Sequence, residues 1–170
     1  GTVNILDSLR LLNKKCTSII ITSDKCYENQ EWEWGYRESD RLGGSDPYSA
    51  SKGSAEIAFN SYFKSFFSCN SVSNIRVASA RAGNVIGGGD WAENRLVPDC
   101  IKAWRKNLPV MIKSPNSTRP FQHVLEPLSG YISLAEKLSL NESLSGHSFN
   151  FGPSNSDKSN DIDVVSELSK

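Results

Sequence analysis

The chain has 170 residues, 38% hydrophobic and 22% charged, with 19 basic residues balancing 19 acidic ones. That length suits one domain with a real core, or part of a larger two-domain protein. A net charge of zero leaves no footprint for nucleic acid or another polyanion. The longest aliphatic run, Ile19-Ile20-Ile21, is far too short to span a bilayer, so a cytoplasmic location is the default expectation.

In chain order, Val3, Leu6, Leu9 and Leu12 recur at helical spacing and predict an amphipathic helix ending near Asn13. The chain opens as though already inside that helix and has no initiator Met, so it is expected to be the carboxy-terminal portion of a longer protein. Ser18 to Thr22 reads as a strand buried on both faces, as β-branched runs are in parallel sheets. From Ser23 to Ser45 the sequence is polar, aromatic and glycine-bearing. It predicts a loop over the carboxyl end of that strand, with Trp32 and Trp34 packing the loop rather than stacking on a ligand.

Asp46 before Pro47 is a helix start, an N-cap residue ahead of a proline at the first helical position. Ala55, Ala58, Phe59, Tyr62, Phe63 and Phe66 continue at helical spacing for about five turns. Ile75 to Ala80 reads as the next strand. Past the glycines 83 and 87–89, helices are expected near Pro98 to Lys106 and Pro127 to Leu138, and short strands at Val110 to Ile112, Phe121 to Val124 and Ser148 to Phe151. An amphipathic piece at Ile162 to Leu168 closes the chain. Strands alternating with helices give an α/β fold with a parallel sheet. We divide it into residues 1–88 and a smaller, mixed, substrate-facing part at 89–170, whose helix near 127–138 packs back on the first part.

Cys16, Cys26, Cys69 and Cys100 are widely spaced, and only His123 and His147 are available to join them. Four reduced thiols and no metal site are expected, with His123 structural. Tyr48 and Lys52 place a phenol and an ammonium four residues apart, on one face of a helix. A phenol, ordinarily of pKa about 10, is a poor base until a nearby cation favours its phenolate. The spacing recurs by chance often enough that alone it carries little. Its position in the first turn of a helix, reached by a long loop after a strand, is where open α/β sheets place ligands. At the end of the same strand Ser23, Asp24 and Lys25 set a hydroxyl, a carboxyl and an amine side by side; the bland alternative for the last two is a solvated turn.

The segments Thr22-Ser23-Asp24-Lys25-Cys26-Tyr27, Tyr48-Ser49-Ala50-Ser51-Lys52, Ala78 to Trp91 and Arg119-Pro120-Phe121-Gln122-His123-Val124 resemble those of extended short-chain dehydrogenases. Within them the chain is most similar to the NAD-dependent sugar-nucleotide 4,6-dehydratases. Many of these have Thr-Asp-Glu at the strand end; Ser23-Asp24-Lys25 departs from that and resembles the branch acting on CDP-glucose, as does Glu31-Trp32 to Tyr36-Arg37-Glu38. The resemblance implies a partial Rossmann-type sheet and a redox-neutral dehydration in deoxysugar biosynthesis, such as that of lipopolysaccharide O-antigen. Hydride leaves C4 of the glucose for NAD, water is lost across C5 and C6, and hydride returns to C6.

By that resemblance Tyr48 takes the C4 hydroxyl proton and Lys52 lowers its pKa and binds the nicotinamide ribose. Ser23 bonds the C4 oxygen and Asp24 protonates the departing C6 hydroxyl. Lys25 stands either as the base for the C5 proton or as a cation stabilising the enolate. Gly83 and Val85 meet the nicotinamide, while Asn84, Arg95 and Arg119 engage the nucleotide sugar; for the arginines the bland alternative is solvated surface. The resemblance also implies a homodimer for the full-length enzyme. The glycine-rich turn that cradles the NAD pyrophosphate does not occur in the sequence. The first βαβ units of the sheet are therefore expected upstream, and the isolated chain is expected to be inactive. Two other readings stand beside this one: a sugar-nucleotide epimerase or reductase, which needs Tyr48 and Lys52 but no acid and base at Asp24 and Lys25, and a truncated remnant that only binds.

Overall fold

The computed structural model describes residues 1–68, 74–154 and 159–170. Cys69 lies outside these residues, as does part of the Ser/Asn-rich loop before the last helix. The fold divides into two compact units, Gly1–Ala82 with Pro127–Phe151, and Gly83–Glu126 with Gly152–Lys170.

The first unit is built on a parallel sheet of β1 (Cys16–Ile21), β2 (Ile75–Ala82) and β6 (Ser148–Phe151), in the order β1-β2-β6. Cys16 lies opposite Ile75 and Ile21 opposite Ala80, while Ser79 lies opposite Ser148. Because successive strand residues face opposite sides, two cores form. On one face Leu6 and Leu9 of α1 (Thr2–Arg10) and Phe59 of α2 (Pro47–Tyr62) pack with Phe67, Ile75, Val77 and Ile20. On the other, Leu134 and Leu138 of α4 (Leu125–Leu140) pack with Ala78, Ala80, Ile19 and Phe149. Each fully buried Leu or Phe here contributes about 1.5–3 kcal/mol relative to exposure. The α/β parallel sheet is thus as expected.

Some boundaries differ. Helix α1 stops at Arg10, capped at Leu11, and Leu11 and Leu12 are exposed, so the apolar spacing outruns the helix. Strand β1 lies at the sheet edge among the described residues. It is half-buried rather than covered on both faces, with Ile21 53% exposed. Helix α4 begins two residues before Pro127, since a proline in the first turn removes an N–H that has no helical partner anyway.

Helix α2 begins as predicted. The Asp46 carboxylate accepts from the Tyr48 and Ser49 amides, and the helix buries Ser49, Gly53, Glu56 and Phe59 along one stripe before ending in a π-helical turn, Phe63–Phe67.

The second unit has only two-residue ladders. β3 (Val85–Ile86) runs parallel to β5 (Gln122–His123), and β4 (Thr118–Arg119) antiparallel to β7 (Ser159–Asn160). Helix α3 (Leu96–Trp104) buries Pro98 and Cys100. Helix α5 (Asp161–Leu168) opens with a capping box between Asn160 and Asp163. The strand expected at Val110 to Ile112 is absent: Met111 is 90% exposed between half-buried neighbours. The alternation is that of a strand, but no ladder pairs with it among the described residues. Among those residues no helix is long and apolar enough to cross a membrane.

Candidate active site

At the carboxyl end of β1 the chain turns through a short 3-10 helix, Asp24–Cys26, with Ser23 as its cap. The Ser23 hydroxyl donates to Asp24 Oδ1 at 2.9 Å and accepts from the Lys25 amide at 3.2 Å. Ser23 is buried, Asp24 half-buried and Lys25 exposed, so the three groups are graded from sheet to solvent. Cys26 beneath them is fully buried, and burial pushes its thiol up to about 12. It is therefore a neutral, inert packing group at neutral pH.

Helix α2 presents Tyr48 and Lys52 one turn apart, with Lys52 Nζ 5.5 Å from the Tyr48 ring centroid. Tyr48 is 56% exposed, open to a ligand. The turn and the helix are close. The Gly43 amide donates to the Cys26 carbonyl at 2.9 Å, and a Cβ on Gly53 stands 3.1 Å from the Gly43 carbonyl and 3.3 Å from that of Cys26. At Gly44 a Cβ falls 2.3 Å from the Ala50 amide nitrogen, so only glycine lets the loop lie this tightly on the first turns of α2. The Asp46 carboxyl is held below its ordinary value, chiefly by the Ser49 hydroxyl and amide, then the Tyr48 amide, with a smaller pull from the Lys25 charge. The structure thus brings Ser23, Asp24, Lys25, Tyr48 and Lys52 to one place.

Behind them lies a polar network that sequence reasoning missed. Glu56 of α2 is 0% exposed and forms a buried ion pair with Arg81 of β2 at 2.8 Å. Its Oε1 accepts from the Thr22 hydroxyl, and its Oε2 from Ser79 at 2.9 Å and Ser148 at 3.1 Å. Arg81 also donates to the Tyr27 hydroxyl at 2.7 Å and the Glu38 carbonyl at 3.0 Å. Tyr27 donates in turn to Asn150 at 2.7 Å. Burial alone pushes the Glu56 carboxyl up, but bonds from Arg81 and Thr22 and the Arg81 charge outweigh it, and the net shift is downward. The signal was available: an acid four residues after Lys52 on the stripe that ends in Phe59, and a lone arginine after Val77-Ala78-Ser79-Ala80.

The loop is strapped to the same network. Asn150 donates its amide to Glu38 and its side chain to the Tyr36 carbonyl, and Tyr36 stacks on Tyr27 at 5.0 Å. Trp32 packs against Tyr36 at 5.4 Å, but Trp34 is 71% exposed and does not pack the loop as expected.

The second unit holds the remaining predicted residues. Gly83 lies against Pro120, where a Cβ falls 2.3 Å from the proline ring, and the Asn84 carbonyl accepts from the Gln122 amide at 3.0 Å. Gly83, Asn84 and Val85 therefore adjoin the segment carrying Arg119. Arg119 pairs through Nε with Asp161 at 3.3 Å, and Arg95, exposed, with Asp90 at 3.3 Å. His123 Nδ1 accepts from the Leu125 amide at the start of α4, a structural role.

No protein-family model matches the chain. It is 48% identical over 159 residues to the CDP-glucose 4,6-dehydratase of Salmonella typhimurium, a match covering 92% of this chain and 44% of that protein. Among solved structures it resembles a dTDP-glucose 4,6-dehydratase from Bacillus anthracis in complex with NAD (TM-score 0.81, 20% identity), covering 99% of this chain and 49% of that one. A UDP-glucuronic acid 4-epimerase from Bacillus cereus, in complex with UDP-glucuronic acid and NAD, is equally similar at the same coverage. The chain spans about half the length of these relatives. The fold is Rossmann-like, and the resemblance read from the motifs extends over nearly the whole sequence.

Proposed function

We propose that this chain carries the proton-transfer part of a sugar-nucleotide 4,6-dehydratase that converts CDP-glucose to CDP-4-keto-6-deoxyglucose. The observation that carries the reading is the meeting of the Ser23-Asp24-Lys25 turn with Tyr48 and Lys52 at the end of β1. Similarity to the Salmonella enzyme supports the choice of sugar nucleotide.

The exposed phenol of Tyr48 and ammonium of Lys52 suit the hydroxyls of a nicotinamide ribose. NAD, when bound, supplies a hydride acceptor for C4 that later returns the hydride to C6. Tyr48 removes the proton of the C4 hydroxyl as that carbon becomes a ketone, and the Lys52 cation favours the phenolate. Ser23 bonds the C4 oxygen. The ketone acidifies the C5 hydrogen: Lys25 in its neutral form takes that proton as base, or in its charged form stabilises the enolate while the proton passes to water. Asp24 gives its proton to the C6 hydroxyl, which leaves as water. Asn84, Arg95 and Arg119 serve the nucleotide diphosphate, a task that suits the guanidinium fork.

The test is the chain fused behind the amino-terminal part of the Salmonella relative, assayed with CDP-glucose and NAD. Tyr48→Phe abolishes all turnover, whereas Asp24→Asn still oxidises C4 and fails to release water. Inversion at C4 with no release of water by the unsubstituted fusion sinks the dehydratase reading and favours the epimerase, whose fold similarity is equal, and water release at the normal rate in Asp24→Asn removes Asp24 from the acid role. The isolated chain neither binds NAD tightly nor turns over; micromolar binding in a titration calorimeter contradicts this.

A further inference from the structure

We infer that Glu56 and Thr22 are a positioning pair, in which one buried carboxylate ties the strand end carrying Ser23, Asp24 and Lys25 to the helix carrying Tyr48 and Lys52. Glu56 lies one helical turn beyond Lys52 and about two beyond Tyr48, on the same side of α2. Thr22 is the residue immediately before the turn. The two oxygens of the carboxylate divide the work. Oε2 takes Arg81, Ser79 and Ser148, which fix it to β2 and β6. Oε1 takes the Thr22 hydroxyl and so reaches β1 where the chain enters the turn.

A merely stabilising role accounts for this poorly. A buried ion pair is often no better for stability than two apolar side chains of the same volume. The ion pair with Arg81 has no need of Thr22. The bond to Thr22 adds the one thing the pair lacks, a fixed distance between helix and turn. The same device continues outward, since Arg81 holds Tyr27 and the Glu38 carbonyl. Turn, loop and helix are thus registered to a single charge. Proton transfer needs donor and acceptor held within hydrogen-bonding reach, which is what such registration supplies.

That the positioned groups are catalytic rests on the dehydratase reading; that Thr22 couples turn to helix does not. Amide hydrogen exchange on the whole 170-residue chain tests the coupling without substrate or cofactor. The reporters are the Cys26 and Tyr27 amides, which close the turn onto the Ser23 and Asp24 carbonyls. Thr22→Val keeps the shape and removes the hydroxyl. It is expected to speed exchange at those two amides by about tenfold, the equivalent of one lost hydrogen bond, while β2 and α1 amides stay within about twofold. Thr22→Ser is expected to restore the native rates. Uniform acceleration throughout the unit, no acceleration at the turn, or failure of Thr22→Ser to restore it overturns the inference. An inactive fusion enzyme leaves this result standing, and a negative exchange result leaves the dehydratase reading standing.

Discussion

The two units hold their candidate functional groups by opposite means. In the first, Ser23, Asp24, Lys25, Tyr48 and Lys52 stand on a turn and a helix referred to a buried Glu56–Arg81 pair. In the second, Arg95 and Arg119 stand on short ladders and loops; the Arg95–Asp90 pair is open to water, and the partly exposed Arg119 meets the buried Asp161. Groups that exchange protons need a fixed geometry, whereas groups that grip a flexible, charged diphosphate tolerate play. The buried ionic support in this chain thus lies behind the groups proposed to move protons.

The strongest way to break that contrast is Glu56→Ala. It leaves the Arg81 charge buried and uncompensated, and about 3–5 kcal/mol of stability is expected to be lost in urea unfolding. Replacing Glu56 and Arg81 together by apolar residues is expected to recover most of it. Gly44→Ala comes next, because the new methyl meets the backbone of Ala50. About 1–3 kcal/mol is expected from the same measurement.

Acid offers a finer probe. The folded Glu56 carboxyl lies below its ordinary 4.5, so its contribution is present above pH 4.5 and lost as pH falls through the lowered folded value. The stability gap between the native chain and Glu56→Gln, compared by denaturation at pH 7 and pH 3, is therefore expected to narrow at pH 3. The smallest effect belongs to the second unit. Arg95→Gln breaks an exposed pair and is expected to cost under about 1 kcal/mol, less still in high salt. A loss as large as that of Glu56→Ala erases the distinction between the units.

Local signals were legible in the sequence. Asp46-Pro47 marks the start of α2, Ser148 to Phe151 is β6 to the residue, and α5 begins one residue from its expected place. What failed was whatever depends on distant partners. Val110 to Ile112 alternates like a strand but has no ladder. Leu12 keeps the helical spacing after α1 has ended. Ile21 looks buried until its own strand is known to lie at the sheet edge among the described residues. In the site, Tyr48, Lys52 and the Ser23 turn were readable because each lies within a short motif. Glu56 showed only as an acid on the apolar stripe of α2, and its role was missed because its partners Thr22, Ser79, Arg81 and Ser148 are 34, 23, 25 and 92 residues away.

The Glu56–Arg81 pair also has a bearing on descent. Either residue lost alone strands a charge in the core, so the tolerated routes are to keep both or to exchange both. The second route passes through a crippled intermediate. A lineage that carries this pair is therefore slow to leave it, and positions 56 and 81 are expected to change together or not at all.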